Sequence, residues 1–197
     1  TTLFRSIRQV LQNCTLTENL DIDRLPVIDV EYYFLHLRAR SVGEMVENKY
    51  RCENVVEDKE CGNLMDVNVN LLDIKVEGTE NVNDFIQLTD KLSIKLKYPE
   101  FHIVGDSLQY DNVNQVTFNM IASSIEYIYD GDQYYYAKEQ TTEELMEFVE
   151  SLNQEQFSKI ENFFENLPKL RKTLDITCKK CGYNHEILVE GLENFFG

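Results

Sequence analysis

Ile176-Thr177-Cys178-Lys179-Lys180-Cys181-Gly182-Tyr183 is a C-x-x-C-G turn, and its reading decides how the rest of the chain is organised. A glycine after the second cysteine lets the backbone reverse with its amides facing sulfur, the local chemistry of a zinc knuckle. A second stretch ends the same way: Tyr50-Arg51-Cys52, then Glu60-Cys61-Gly62-Asn63. Its cysteines are spread apart by an insertion, Glu53 to Glu60, and residues 62–177 separate the two pairs. Four thiolates close a tetrahedral site with no open position. The pattern therefore predicts one structural zinc held by Cys52, Cys61, Cys178 and Cys181. The alternative is a set of unrelated reduced cysteines. A disulfide framework fits less well, because nothing marks the chain as secreted.

The predicted fold is α+β. It has N-terminal helices, a four-cysteine zinc ribbon formed by two distant knuckles, and an inserted mixed α/β segment with a helical hairpin. The corresponding boundaries are 1–45 for the helical segment, 46–76 and 171–197 for the ribbon halves, and 77–170 for the insertion. With 197 residues the chain is long enough for a proper core. Lys+Arg 19 against Asp+Glu 35 leaves a net charge of −16. Non-specific nucleic-acid affinity needs clustered Lys and Arg, so this balance speaks against a phosphate-binding surface and for a basic protein partner. No apolar run approaches the ~18 residues that span a bilayer, and no signal-peptide pattern opens the visible chain. Reduced, metal-spaced cysteines imply a reducing cytosol.

Along the chain, Phe4, Ile7, Val10 and Leu11 predict a helix over residues 1–13, with Cys14 as a packing residue at its end. Asp29 is the expected N-cap of a second helix, Val30 to Arg40. Tyr32, Tyr33, Phe34, Leu35 and Leu37 make that helix apolar over most of its circumference, so it is either buried or turned to a partner. Arg38 and Arg40 suit a solvated last turn.

The stretch from Leu25 to Glu44, with Pro26, Asp29, Tyr32, Tyr33, Phe34 and His36 inside it, resembles the signature of a baseplate hub family of T-even-type, contractile-tailed bacteriophages. Asn70 to Val76, Leu92 to Pro99 and the tail Cys178 to Phe196 are similar too. The resemblance implies a late protein of the host cytoplasm during virion assembly, with the tail baseplate as a further location. It implies a non-enzymatic role as hub subunit or assembly chaperone, with other hub proteins or the tape-measure protein as partners. It also implies a further segment ahead of Thr1.

Met65, Val67, Val69 and Leu71 alternate with polar residues as in a half-buried strand, and Leu72, Ile74 and Val76 extend the alternation. Gly78 to Asn81 is a turn-rich break. Phe85–Leu88 and Leu92–Tyr98 read as hairpin arms, with Ser93, Lys95 and Lys97 on a solvated face or an edge strand. Residues 112–170 read as helical. Val116, Met120, Ile121, Ile125 and Ile128 support a helix from Val113 to Tyr129. Asp130-Gly131-Asp132 is a turn that lacks the other ligand positions of a calcium loop. Tyr134 to Tyr136 is a short strand or a sticky surface. Thr141/Glu144 and Ser151/Gln154 read as capping boxes of two helices forming a hairpin, with Pro168 as a break. Strands at 174–177 and 185–189 flank the second knuckle, and a short aromatic helix closes the chain.

No catalytic constellation emerges. The eight glycines never form a phosphate loop, and His36, His102 and His185 lie far apart. His185, four residues past Cys181, is either a competing ligand or a brace for one. The rival reading is a zinc-ribbon adaptor of transcription or nucleic-acid machinery, using Arg38, Arg40, Lys169, Arg171, Lys172, Lys179 and Lys180 as a basic patch.

Overall fold

The computed structural model describes residues 2–80, 82–107, 110 and 112–196. Thr1, at the head of the predicted first helix, and Asn81, in the predicted break, lie outside them. The architecture is α+β, and the chain forms two compact units: Thr1–Val30 with Gly78–Leu167, and Glu31–Glu77 with Pro168–Gly197.

In the first unit, helix α1 (Thr2–Cys14) buries Ile7 and Leu11. Cys14 is exposed, not packed: it is the last residue of the helix, where the chain turns away. Helix α2 (Val27–Ser41) starts earlier than its predicted cap, and from Glu31 onward it belongs to the second unit. The Pro26 carbonyl accepts from the Asp29 and Val30 amides at 3.0 and 3.1 Å, so Pro26 stands at the cap, where its missing N–H loses nothing. Asp29 lies inside the first turn, where a carboxylate suits the helix dipole.

A four-stranded antiparallel sheet follows, from β6 (Phe85–Gln87), β7 (Leu92–Leu96), β8 (Ile125–Asp130) and β9 (Gln133–Tyr136), in the order β6-β7-β8-β9. The hairpin expected over residues 85–98 is present, but β7 is an interior strand. Ser93 is accordingly buried, donating its hydroxyl to Gln87 Oε1 at 2.9 Å, and Lys95 is held by Asp84 at 2.7 Å. Helix α3 (Phe101–Ser107) was not anticipated. Helix α4 spans only Val113–Ser124, capped by Asn112. The predicted helix to Tyr129 is overturned, because Ile125, Tyr127, Ile128 and Tyr129 are β-branched or aromatic and pair with β7, across a bulge at Glu126, and from Tyr127 on with β9. Tyr134 to Tyr136 is strand β9, reached through the turn at Gly131, whose φ is 60°.

The inner face of this sheet presents Ile86, Ile94 and Ile128 to Ile121 of α4, Leu145 and Val149 of α5 (Thr142–Glu150), and Ile160 and Phe163 of α6 (Gln154–Glu165). The Thr141/Glu144 capping box is present: Thr141 N–H donates to Glu144 Oε2 at 2.8 Å, and Glu144 N–H to Thr141 Oγ1 at 3.2 Å. The second box belongs to Asn153 and Gln156, not to Ser151, which ends α5. Asn153 wins because its carboxamide can accept from the Gln156 amide while Gln156 answers its own N–H. The expected helical hairpin does not form, because α5 lies along α4. The apolar faces of α5 and α6 are both spent on the sheet core.

The second unit is built from small sheets. Strand β1 (Met45–Arg51) pairs with β4 (Leu64–Asn70), and β4 buries Met65, Val67 and Val69 as its alternation predicted. A 3-10 turn at Leu71–Asp73 then resets the period: Leu71 is buried and Leu72 exposed. Strands β5 (Lys75–Glu77), β10 (Lys169–Thr177) and β11 (Asn184–Glu190) form the order β11-β10-β5. Helix α7 (Leu192–Phe196) buries Phe195, whose carbonyl accepts from Asn48 Nδ2 on β1 at 3.4 Å.

Removing a cap oxygen leaves orphan amides. Asn153→Ala and Thr141→Ala should each lower stability to urea by about 1 kcal/mol, and Ser151→Ala by much less. Glu100 gives a pH test. Burial works to raise its pKa, but Lys97 at 2.6 Å and Arg24 at 3.2 Å outweigh it, so the carboxyl sits below its usual value. A depressed folded pKa contributes stability above the unfolded value, near 4.5, that is lost as pH falls through the folded one. Glu100→Gln should therefore lose less stability than the parent chain between neutral pH and pH about 3 in urea titrations.

Candidate metal centre

Each cysteine pair is positioned by a hairpin. In the second, the Cys178 N–H donates to the Tyr183 carbonyl at 2.8 Å and the Gly182 N–H to the Cys178 carbonyl at 2.8 Å. In the first, the Cys52 N–H donates to the Asn63 carbonyl at 2.8 Å and the Gly62 N–H to the Cys52 carbonyl at 3.0 Å. The two turns thus share one hydrogen-bond pattern despite their unequal lengths. Gly62 and Gly182 sit at φ 62° and 74°, the left-handed region that side chains resist. The insertion leaves this pattern intact because it is extruded as its own hairpin, β2 (Val55–Val56) and β3 (Lys59–Glu60), closed where the Cys61 N–H donates to the Asn54 carbonyl. Its turn residues, Glu57 and Asp58, both have positive φ, at 50° and 60°, the geometry that matches strand twist in a two-residue loop.

These turns bring all four predicted ligands together. The Sγ atoms of Cys52, Cys61, Cys178 and Cys181 lie within 4.8 Å of one another. Cys52 to Cys181 is 3.6 Å and Cys61 to Cys178 is 3.9 Å. Thiolates about 2.3 Å from a shared tetrahedral ion stand about 3.8 Å apart, so the arrangement fits such an ion. Cys52, Cys61 and Cys178 are buried, and Cys181 is partly exposed. The cluster can hold a metal ion.

Electrostatics differ across the site. The Cys181 amide directed at Cys178 sulfur, with the Lys180 amide, outweighs burial and brings that thiol down to about 6. The Tyr183 amide, with help from the Asn54 carboxamide, holds Cys181 below its ordinary value. Burial pushes Cys52 up to about 12. The second knuckle is therefore poised as thiolate. Cys52 is disfavoured as thiolate, and a divalent ion at the centre would supply the charge that ionises it.

Three residues that the sequence did not suggest for this role brace the site. Asn54 Nδ2 donates to Cys181 Sγ and Asn63 Nδ2 to Cys178 Sγ, both at 3.6 Å, each reaching from one knuckle to the other. Lys180 Nζ donates to the Cys61 carbonyl at 2.8 Å. Asn63 follows the Cys61-Gly62 step directly, the one sequence signal that could have pointed to it. His185 sits on β11 with Nε2 3.2 Å from Cys52 Sγ, edge-on to Tyr183. That is hydrogen-bonding distance to one sulfur of the cluster, the geometry of a brace. The other histidines lie elsewhere: His102 contacts the Asp23 carbonyl, and His36 packs edge-on to Tyr32.

The basic residues near the second knuckle are largely engaged. Lys169 and Arg171 both pair with Glu190, at 3.0 and 2.6 Å, and Lys172 with Asp73 at 3.7 Å. Arg38 donates to the Gly43 carbonyl. Little of the predicted basic patch remains for phosphate.

With cobalt(II) added under reducing conditions, the chain should develop the visible absorption of tetrahedral thiolate coordination. His185→Ala should keep these bands and Cys178→Ser should lose them. An unchanged Cys178→Ser spectrum would remove Cys178 from the ligand set.

The family model described as T4 bacteriophage base plate protein matches residues 2–197. The baseplate hub assembly protein gp26 of Enterobacteria phage T4 is 24% identical over 191 residues, which is 96% of this chain and 79% of that protein. No solved structure matches. Among the described residues no helix is long and apolar enough to cross a membrane. A match running the length of the chain, through both cysteine turns and the α2 stretch, places the protein in the T4 bacteriophage base plate protein family.

Proposed function

We propose that the chain is a non-enzymatic protein of tail baseplate hub assembly that binds other hub or tape-measure proteins, with one structural zinc at its cysteine cluster. The observation that carries the assembly role is similarity over 96% of the chain to a relative named for baseplate hub assembly. The role is exercised in the host cytoplasm while virions are built, as hub subunit or as transient chaperone.

Cys52, Cys61, Cys178 and Cys181 would be the zinc ligands, and four thiolates leave no position for a substrate or an activated water. The ribbon would consist of the halves 46–76 and 171–197, with 77–170 inserted between them. The apolar helix segment Val30–Arg40 is the proposed partner surface: Tyr32 is exposed, and Tyr33, Phe34 and Leu37 are only partly buried. The acidic body, at −16, would favour basic partners and make binding sensitive to salt.

Mass spectrometry of purified mature tails beside assembly intermediates tests the role. Presence in both establishes a subunit, presence only in intermediates a chaperone, and absence from both overturns the proposal. Elemental analysis of protein purified without chelator should find about one zinc per chain. Chelation should lower the thermal midpoint, and acidification should release the metal as the thiols take back protons.

A further inference from the structure

The outer face of the four-stranded sheet carries an aromatic surface that no core requirement explains. Register places Phe85, Lys95, Tyr127 and Tyr136 in one row across β6, β7, β8 and β9, and Gln87, Ser93, Tyr129 and Tyr134 in the next. The alternate row, Ile86, Ile94 and Ile128, faces the core. Four tyrosines thus lie together on the side turned away from it. Their ring centroids stand 4.7 Å apart for Tyr129–Tyr134, 5.3 Å for Tyr127–Tyr134 and 6.0 Å for Tyr127–Tyr136. Tyr134 and Tyr136 lie nearly parallel at 6.2 Å. Tyr134 is 50% exposed, and Tyr136 and Phe85 are each 42% exposed. The solvated face of an antiparallel sheet is ordinarily polar, and clustered exposed aromatics mark recognition surfaces.

The charge around this face selects the partner. Asp84 and Glu126 both act electrostatically on Lys95 of the first row, and Asp132 and Glu139 are exposed on the turn that joins β8 to β9 and on the turn that follows β9. Lys95 is already held by Asp84, and the Lys138 ammonium sits 5.5 Å from the Tyr136 ring centroid. That last contact shows within the molecule what the rings accept: a cation over a π face. Guanidinium does this best, because it is planar and can stack while pairing with a carboxylate. Nucleic-acid bases also stack on tyrosine, but their phosphates would meet a carboxylate rim on a chain of −16.

We propose that the face formed by Tyr127, Tyr129, Tyr134 and Tyr136 docks an arginine-rich polypeptide segment of a partner protein, with guanidinium groups on the rings and paired to the surrounding carboxylates. This surface is independent of the cysteine cluster and of α2, and it stands whether or not either has the role given above.

The chain has no tryptophan, so its intrinsic emission is that of its 11 tyrosines, four of which form the face. A synthetic peptide of alternating arginine and glycine, titrated at low salt, should change that emission saturably, and raised salt should weaken binding. Tyr134→Ala/Tyr136→Ala should weaken binding by about tenfold or more. Tyr134→Phe/Tyr136→Phe should retain it. Tyr135→Ala, on the opposite face of the same strand, should also retain it. Oligothymidylate should not bind. Circular dichroism checks that each variant folds. Should the double alanine variant unfold, Tyr134→Lys, which keeps a long side chain but adds a repelling charge, should weaken binding instead. Absence of peptide binding, undiminished binding by the folded Tyr134→Ala/Tyr136→Ala or Tyr134→Lys variant, or capture of oligothymidylate by this face would each overturn the proposal.

Discussion

The second unit depends on the meeting of four sulfur atoms. Its end at the knuckles has little else to bury: Cys52, Cys61 and Cys178 with Met65, and Tyr50, Ile176 and Cys181 at the margin. The strands feeding this point form sheets of two and three strands, and a lone hairpin is marginal in water. The sulfurs are also drawn from residues far apart in sequence, so gathering them carries a loop-closure cost that these few apolar contacts hardly offset. The cross-knuckle hydrogen bonds from Asn54 and Asn63 fix which sulfur faces which. They do not remove the cost of gathering thiolate charge at one largely buried point. On the proposed reading a single divalent ion does, by supplying the positive charge that thiolate ligands need.

The first unit is held by different physics. Its core is a conventional apolar layer between one sheet face and three helices, with Ile94, Leu96, Ile121, Ile125 and Ile160 almost wholly removed from water. Polar groups serve its ends: helix caps at Asn112, Thr141 and Asn153, and the cluster of Arg24, Lys97 and His102 around Glu100. Because strand residues alternate, one choice of inward isoleucine fixes what faces outward, and in β8 and β9 that is tyrosine. The packing constraint and the aromatic display follow from the same period-two geometry.

Much of this was legible in the sequence where one local rule acted alone. The C-x-x-C-G turn, the alternation of Met65, Val67 and Val69, and the Thr141 box each answer to a single short-range requirement. Reading failed where two periods fitted. Ile121, Ile125 and Ile128 satisfy helical spacing, yet the helix ends at Ser124 because the residues beyond it are β-branched or aromatic and find partners on both sides. Ser151 and Asn153 could each cap a helix, and only the geometry of α5 and α6 chooses between them. Ser93 and Lys95 read as a solvated face or an edge strand; they do stand on the outward rows, but β7 is interior and Ser93 is buried, because strand order is not written in one strand. At the cysteine cluster the meeting of the four sulfurs was legible and the groups around them were not. Asn54 and Asn63 reach sulfur across the site only after both turns have formed, and no spacing rule encodes that.

Family membership bears on how these features combine. A protein that works in assembly needs surfaces held in fixed positions more than it needs reactive groups. A closed tetrathiolate site, as proposed, would serve the first need while excluding the second, since a coordinatively saturated ion neither activates water nor polarises a substrate. Recognition must then come from side chains standing on rigid elements, and sheet strands are stiffer supports than loops. The acidic excess would steer basic partners from a distance but falls away within a Debye length, so it cannot by itself fix a docking pose. Short-range aromatic contact can, because stacking demands a particular ring geometry. Charge to attract and aromatic rows to orient form a division of labour that a chain with 35 acidic residues and 11 tyrosines is equipped to carry out.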